Sequence, residues 1–112
     1  MGMSEQMAFE FLPIRVPVET GMTIEESFRI FHDHNPHIYR LLRQMALEYK
    51  RAGNARCGMK MLWEALRYHS AVQTRGEPYR LNNNYTALYA RELMRNEPEL
   101  RGFFETRERR AD

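Results

Sequence analysis

The chain has 112 residues, of which 43% are hydrophobic and 12% aromatic, and its formal net charge is only +2. This size and composition predict one folded domain with one core and exclude a disordered chain. The single Cys57 excludes an internal disulfide. The sequence has no apolar run long enough for a membrane span and no basic leader of a secretory signal. We therefore expect a cytoplasmic protein that makes no membrane contact.

Residues 1–22 are predicted to form an extended N-terminal arm. Their apolar residues alternate in part, but Pro13 and Pro17 remove backbone donors, so any strand here lies at a sheet edge. Such an arm packs either on its own domain or on a second copy. The second arrangement would give a homodimer formed through the arm.

Capping signals predict the first two helices. Thr23 and Glu26 form a T-x-x-E capping box that starts the first helix. Asn35 before Pro36 is expected to cap the second helix, which ends at Gly53. The second helix carries one apolar stripe, formed by Ile38, Leu41, Leu42, Met45, Ala46 and Tyr49.

A third helix, from residue 55 or 58 to residue 71 or 72, has apolar residues on two adjacent stripes. A helix that is apolar over most of its circumference is predicted to be central to the core. The first stripe is Met59, Leu62, Trp63 and Leu66. The second stripe is Met61, Ala65, Tyr68 and Val72. The narrow outer face is formed by Lys60, Glu64, Arg67 and Ala71.

The rest of the chain completes the predicted fold. Two short strands, 72–74 and 79–81, are expected around the turn Arg75-Gly76-Glu77-Pro78, with Tyr79 exposed. A fourth helix runs from about residue 85 to 95, a short turn follows, and Phe103 and Phe104 dock on the core. Residues 23–105 are thus predicted to form a mainly α, three- to four-helix winged helix-turn-helix-like domain with a small β-ribbon. Residues 106–112 are predicted to form a flexible charged tail.

The positive charge is concentrated between residues 40 and 80. That block holds nine Lys or Arg and three acids, a net charge of +6, whereas residues 1–39 carry −4 and residues 81–112 carry zero. Such a block suggests a surface for a polyanion, although basic helix exteriors are often only solvated. In a winged helix the start of the second helix of the pair meets DNA bases and the wing meets phosphates. The nucleic-acid contacts predicted in this way are Arg51, Asn54, Arg56, Lys60, Arg67, Arg75 and Arg80.

His32, His34 and His37 form an H-x-H-x-x-H pattern whose spacing is short enough to chelate a metal. The pattern crosses the helix break at Asn35. The favoured interpretation is therefore a polar helix end with one histidine partly buried against an aromatic ring. No catalytic motif is present, so we expect no enzyme activity and no cofactor. A metal-dependent enzyme built on these histidines is the remote alternative.

Four segments carry a resemblance to a known family. They are FRIFHDHNPHIY at 28–39, MLWEALRY at 61–68, LNNNYTALYAR at 81–91 and PELRGFFETR at 98–107. Across residues 24–110 the chain resembles a family of small uncharacterised proteins found in phages, prophages and bacterial mobile regions. Some members of that family are labelled winged-helix or helix-turn-helix DNA-binding proteins. The resemblance implies the same fold and function here but supplies no site residues.

Two functions follow from these observations. The first is a phage or mobile-element transcriptional regulator that grips duplex DNA mainly through its phosphates. The second is a protein-interaction module that binds a host or phage protein, for example as an inhibitor of a host defence protein. The acidic arm, the eight methionines and the aromatic residues favour this second function.

Overall fold

Four α-helices form most of the fold. The computed structural model describes residues 12–14, 21–74 and 79–105. None of the helices in these ranges is long and apolar enough to cross a bilayer. The prediction of a mainly α-helical domain is confirmed. In chain order the helices are α1 (Ile24–His34), α2 (Pro36–Arg51), α3 (Met59–Thr74) and α4 (Thr86–Asn96), with short 3-10 turns at Asn83–Tyr85 and Pro98–Leu100.

The junction between α1 and α2 follows from local hydrogen bonding. The Thr23 hydroxyl accepts from the Glu26 N–H at 3.1 Å, and the Thr23 N–H donates to the Glu26 carboxylate at 2.9 Å, so the capping box is confirmed. The prediction that the Asn35 side chain caps α2 is wrong. Its amide donates instead to the Phe31 carbonyl at 3.0 Å and satisfies the end of α1. The first residue of α2 is Pro36, which has no N–H to satisfy.

The turn between α2 and α3 ends one helix and starts the next within a few residues. Gly53 adopts the left-handed backbone conformation, with φ of +110°, which costs little without a side chain. Asn54 donates from its side-chain amide to the Tyr49 carbonyl at 3.0 Å. This bond satisfies one of the carbonyls left free at the end of α2. The predicted end of the second helix is confirmed.

Helix α3 packs against both α2 and α4 and supplies the centre of the core. Trp63 and Leu66 are fully buried there, and the Trp63 ring lies 5.5 Å from that of Tyr89 on α4. Burying this face removes apolar surface from water, the main favourable term in folding. The remaining fully buried large apolar side chains are Ile38, Leu42, Leu93, Leu100 and Phe103.

The predicted first ribbon strand is wrong, because residues 72–74 continue α3. Tyr79 is buried rather than exposed, and its N–H donates to the buried Ser70 hydroxyl of α3 at 2.9 Å. Within the ranges that the structure describes there is no strand, only an isolated parallel bridge between Cys57 and Phe104. The predicted turn at 75–78 lies outside those ranges, so the winged-helix assignment stays a prediction.

Residues 97–105, called here the C-terminal segment, close the fold over the turn between α2 and α3. Phe103 and Phe104 are buried, as the sequence predicts. The backbone of Cys57 joins this segment through two hydrogen bonds of 3.0 Å, from its N–H to the Phe103 carbonyl and from the Glu105 N–H to its carbonyl. Phe103 and Phe104 are thus part of the core.

Only three residues of the predicted arm are described before Gly21. Ile14 packs against the core, and the Tyr79 hydroxyl donates to the Leu12 carbonyl. Residues 1–11 and 15–20 of the arm lie outside the described residues, as does the predicted tail at 106–112. The arm-mediated homodimer therefore stays a prediction.

Candidate protein-interaction surface

The C-terminal segment neutralises part of the basic block. Arg51 binds Glu99 through two parallel hydrogen bonds of 2.8 and 3.0 Å, and the Lys50 ammonium donates to the Glu99 carbonyl. Arg43 pairs with Glu97 at 2.9 Å. These contacts join charges that lie about 50 positions apart in the sequence.

The same contacts change the acidity of the two carboxyl groups. The hydrogen bond from Arg43, with a further one from Tyr39, holds the pKa of Glu97 below its ordinary value. The hydrogen bonds from Arg51 lower the pKa of Glu99 in the same way. A bidentate arginine–carboxylate pair is geometrically specific, so Arg51 has a partner within its own chain.

Three more of the predicted DNA contacts also have partners within the chain. Arg67 donates to the Leu81 carbonyl at 2.9 Å and to the Asn83 side chain, which holds the backbone after residue 79 against α3. Asn54 completes the turn after α2, as described above. Arg56 lies 3.8 Å from Glu105 at an exposed position, where an ion pair contributes little.

Lys60 and Arg80 are exposed, and neither has an ion pair among the described residues. Arg75, which is predicted to lie on the wing with Arg80, is outside those residues. The seven predicted contacts therefore do not form one uniform basic surface. Those that remain unpaired are Lys60, on the first turn of α3, and Arg80, beside the second half of that helix.

The three histidines of the predicted metal cluster lie in separate surroundings. His32 packs among aromatic rings, with centroids 5.4 Å from Tyr39 and 5.7 Å from Tyr89. His34 is exposed, with its Nδ1 2.9 Å from the Ile30 carbonyl, and His37 lies beside Tyr79. The interpretation of one histidine partly buried against an aromatic ring is confirmed. No three His, Cys, Asp or Glu side chains in the described part of the chain converge on a common point.

Acidification is expected to destabilise the domain through His32 and His37. Burial lowers the pKa of both; Glu92 opposes this for His32, and Arg40 reinforces it for His37. Well above pH 6.5 both rings are neutral in the folded and in the unfolded chain. As the pH falls below 6.5, the unfolded chain takes up protons more readily, so stability is lost. The urea concentration at the unfolding midpoint should therefore decrease as the pH is lowered from 7.5 to 5.5.

The matched variant replaces both histidines with glutamine. Its unfolding midpoint should change less over the same pH range, because the groups that titrate differently in the two states are gone. The range stays above the ordinary pKa values of carboxyl groups, and Glu48, whose pKa is raised by burial, is present in both chains. A slope in the double variant as steep as in the native chain would contradict this prediction.

Cys57 is buried beside the C-terminal segment. Burial, with a smaller contribution from Glu105, raises the pKa of its thiol to about 11. Because the thiolate is the reactive form, this cysteine is a poor nucleophile at neutral pH. Cys57 is therefore a core residue in this fold.

The side of α3 that faces away from the core carries an apolar row, called here the outward stripe. It consists of Met61, Ala65, Tyr68 and Val72, spaced i, i+4, i+7 and i+11, within an arc of about 60°. Met61 is 45% exposed, Tyr68 65% and Val72 56%, while Ala65 is half-buried. The prediction that this second stripe is buried is wrong.

Polar residues border the outward stripe on both sides. Lys60, Glu64 and Arg67 form one edge, and Glu64 pairs with Arg67 across one helical turn. His69 and Gln73 are exposed on the other edge, with the His69 ring packed edge-on to Tyr68 at 5.2 Å. An apolar row with a polar rim has the layout of a protein-binding surface.

The stripe was identifiable in part from the sequence. Its spacing of four, three and four residues is that of the apolar seam of a coiled coil, and this pattern can be recognised in the sequence. The prediction that α3 is buried over most of its circumference is wrong because it assigns both stripes to one core. The fold has helices against one side of α3 only, so its second apolar side remains uncovered among the described residues.

A scan of the chain against protein-family models, and searches among curated proteins and solved structures, find no match. The resemblance to phage and prophage proteins therefore stays a prediction.

Proposed function

We propose that this domain is a protein–protein interaction module that docks its partner on the outward stripe of α3. The observation that carries the proposal is the position of the exposed apolar groups. Four large apolar side chains are exposed in the described residues, and three of them lie on this one stripe. Scattered exposed apolar residues are normal in any domain, whereas an ordered row marks a site of contact.

The chemistry of the stripe suits a partner helix. Spacings of three and four residues are those that an amphipathic helix uses to dock its apolar face in a complementary surface. Tyr68 combines a large apolar ring with a hydroxyl, the type of residue enriched at interfaces. Met61 has a flexible thioether side chain that adapts to the shape of its neighbour.

The test compares the native chain with two single variants. Tyr68→Glu places a charge in the centre of the stripe, and Gln73→Glu places the same charge on the exposed border of the same helix. Each chain serves as bait in nuclease-treated lysate, and a protein retained by the native and Gln73→Glu chains is then purified and titrated. We expect Tyr68→Glu to weaken its binding at least tenfold, because burying a charged group at an interface is costly.

Circular dichroism must show that all three chains are equally helical, so that loss of binding reports the surface and not the fold. A retained partner that binds the native and Tyr68→Glu chains equally well would contradict the proposal. So would binding that needs nucleic acid. Val72→Lys, on the next turn of the stripe, provides an independent check.

Duplex DNA binding is the second candidate function. Lys60 and Arg80 are exposed without ion pairs in the described residues, and Arg67 holds the backbone after residue 79 along their side of α3. Fluorescence anisotropy over a salt series tests this. The logarithm of the affinity should fall with the logarithm of the salt concentration by about 0.9 for each phosphate neutralised.

The Lys60→Ala/Arg80→Ala double variant should reduce that slope. Arg51→Ala is the matched control, because Arg51 is paired with Glu99. Affinity weaker than the ordinary nonspecific range of about 10⁻⁴ to 10⁻⁶ M, or no salt slope, would exclude the DNA function.

A further inference from the structure

We infer that the partner seated on the outward stripe is a second copy of this chain, with its α3 antiparallel to the first. The inference rests on the proposed function and specifies its partner. Two properties of the described residues favour this occupant: the spacing of the stripe and the sizes of its side chains.

The spacing is that of a two-helix seam. Met61, Ala65, Tyr68 and Val72 occupy alternating d and a positions of a heptad, with steps of four, three and four. Two such helices place their apolar rows against each other over about three turns. One copy thus offers the surface that another copy requires, which is the condition for a two-fold symmetric interface.

The side-chain sizes favour the antiparallel arrangement. A two-fold axis midway along the stripe sets Ala65 of one copy level with Tyr68 of the other, and Met61 level with Val72. Each large ring then lies opposite the smallest residue. In a parallel pair the two Tyr68 rings would meet in one layer and the two Ala65 methyl groups in another, which leaves crowding beside a void.

The size of the seam fixes how strong the pair can be. Four residues from one helix supply less than the roughly 800 Å² per partner of a standard stable interface. We therefore expect a concentration-dependent dimer with a dissociation constant of about micromolar or weaker. Sedimentation equilibrium of the full chain from low to several hundred micromolar should show its mean mass rising toward two chains.

Cysteine cross-linking tests the orientation. Met61→Cys and Val72→Cys chains are oxidised separately and as a mixture, with Cys57 retained because its buried thiol has a raised pKa. In an antiparallel pair of Met61→Cys chains the two introduced sulfurs are offset by about 16 Å, far beyond disulfide reach. Disulfide dimers should therefore form at least tenfold faster in the mixture than in either single variant.

Arg101→Cys, an exposed position on the C-terminal segment, is the control for random collision. Equal cross-linking in all samples, or faster cross-linking of each single variant, would overturn the antiparallel pair. In sedimentation, Tyr68→Glu should weaken association at least tenfold and Gln73→Glu should not. A native chain that stays monomeric at all concentrations would overturn the second-copy inference.

Failure of the second-copy inference can be distinguished from failure of the proposed interaction function. If the native chain is monomeric but another protein binds it and is lost with Tyr68→Glu, the second-copy inference fails and the interaction function stands. If neither self-association nor partner binding depends on Tyr68 and Val72, both fail. Equal helicity of the variants keeps either result interpretable.

Discussion

Replacement of Trp63 by alanine is expected to cost about 3–5 kcal/mol of folding free energy. Trp63, in the first half of α3, is fully buried, with its ring 5.5 Å from that of Tyr89. The substitution leaves a cavity that neighbouring side chains fill only in part. Domains of this kind have a total stability of about 5–15 kcal/mol, so the variant should lose a large fraction of its stability.

Tyr68→Ala is the matched control for Trp63→Ala, because it truncates an aromatic residue on the exposed side of the same helix. Its stability should stay within about 0.5 kcal/mol of the native chain. Urea unfolding followed by circular dichroism measures both variants, since Trp63 is the only tryptophan and its fluorescence is lost with it. Equal losses in the two variants would contradict the assignment of the two faces of α3.

The indole of Trp63 carries a polar group into the core. Its N–H is buried without a hydrogen-bond partner among the described residues. Trp63→Phe removes this unpaired donor while it keeps most of the ring. Because an unsatisfied buried donor costs about 1–3 kcal/mol, Trp63→Phe should lose much less stability than Trp63→Ala.

Phe103→Ala is expected to lower stability by about 3–5 kcal/mol and the melting temperature by more than about 10 °C. Phe103 is 2% exposed and packs beside Tyr49 and Phe104. Its loss should also loosen the bridge to Cys57. Thermal unfolding measures the first effect, and faster hydrogen exchange of the Cys57 amide, which donates to the Phe103 carbonyl, measures the second.

Arg101→Ala is the control on the same segment, because that side chain is exposed and has no ion pair among the described residues. It should change stability by no more than about 0.5 kcal/mol. If Phe103→Ala were equally mild, the C-terminal segment would be an appendage to a core that is complete without it.

Local signals predicted the first half of the fold well. The capping box at Thr23, the proline at the start of α2 and the six-residue apolar stripe of α2 all act over a few residues, so they can be recognised in the sequence. The burial of Phe103 and Phe104 was also predictable, because two adjacent aromatic rings beside a charged segment are expected to pack in the core.

The features that could not be predicted depend on contacts between distant residues. Tyr79 donates hydrogen bonds to the Ser70 hydroxyl and to the Leu12 carbonyl. These contacts hold Tyr79 in a buried position, although the local turn signals predict that it is exposed. Charge counting likewise gave a basic block, because nothing near Arg43 or Arg51 indicates that Glu97 and Glu99 will meet them. The predicted nucleic-acid contacts Arg51 and Arg67 likewise have distant partners, Glu99 and the Leu81 carbonyl.

The backbone link between Cys57 and the C-terminal segment has a consequence for synthesis of the chain. A ribosome-bound chain that ends before residue 100 already contains α1 to α4 but lacks Leu100, Phe103 and Phe104, which complete the core. Its uncovered apolar surface would favour chaperone binding and aggregation. Folding of the domain should therefore be complete only after Glu105 has left the exit tunnel.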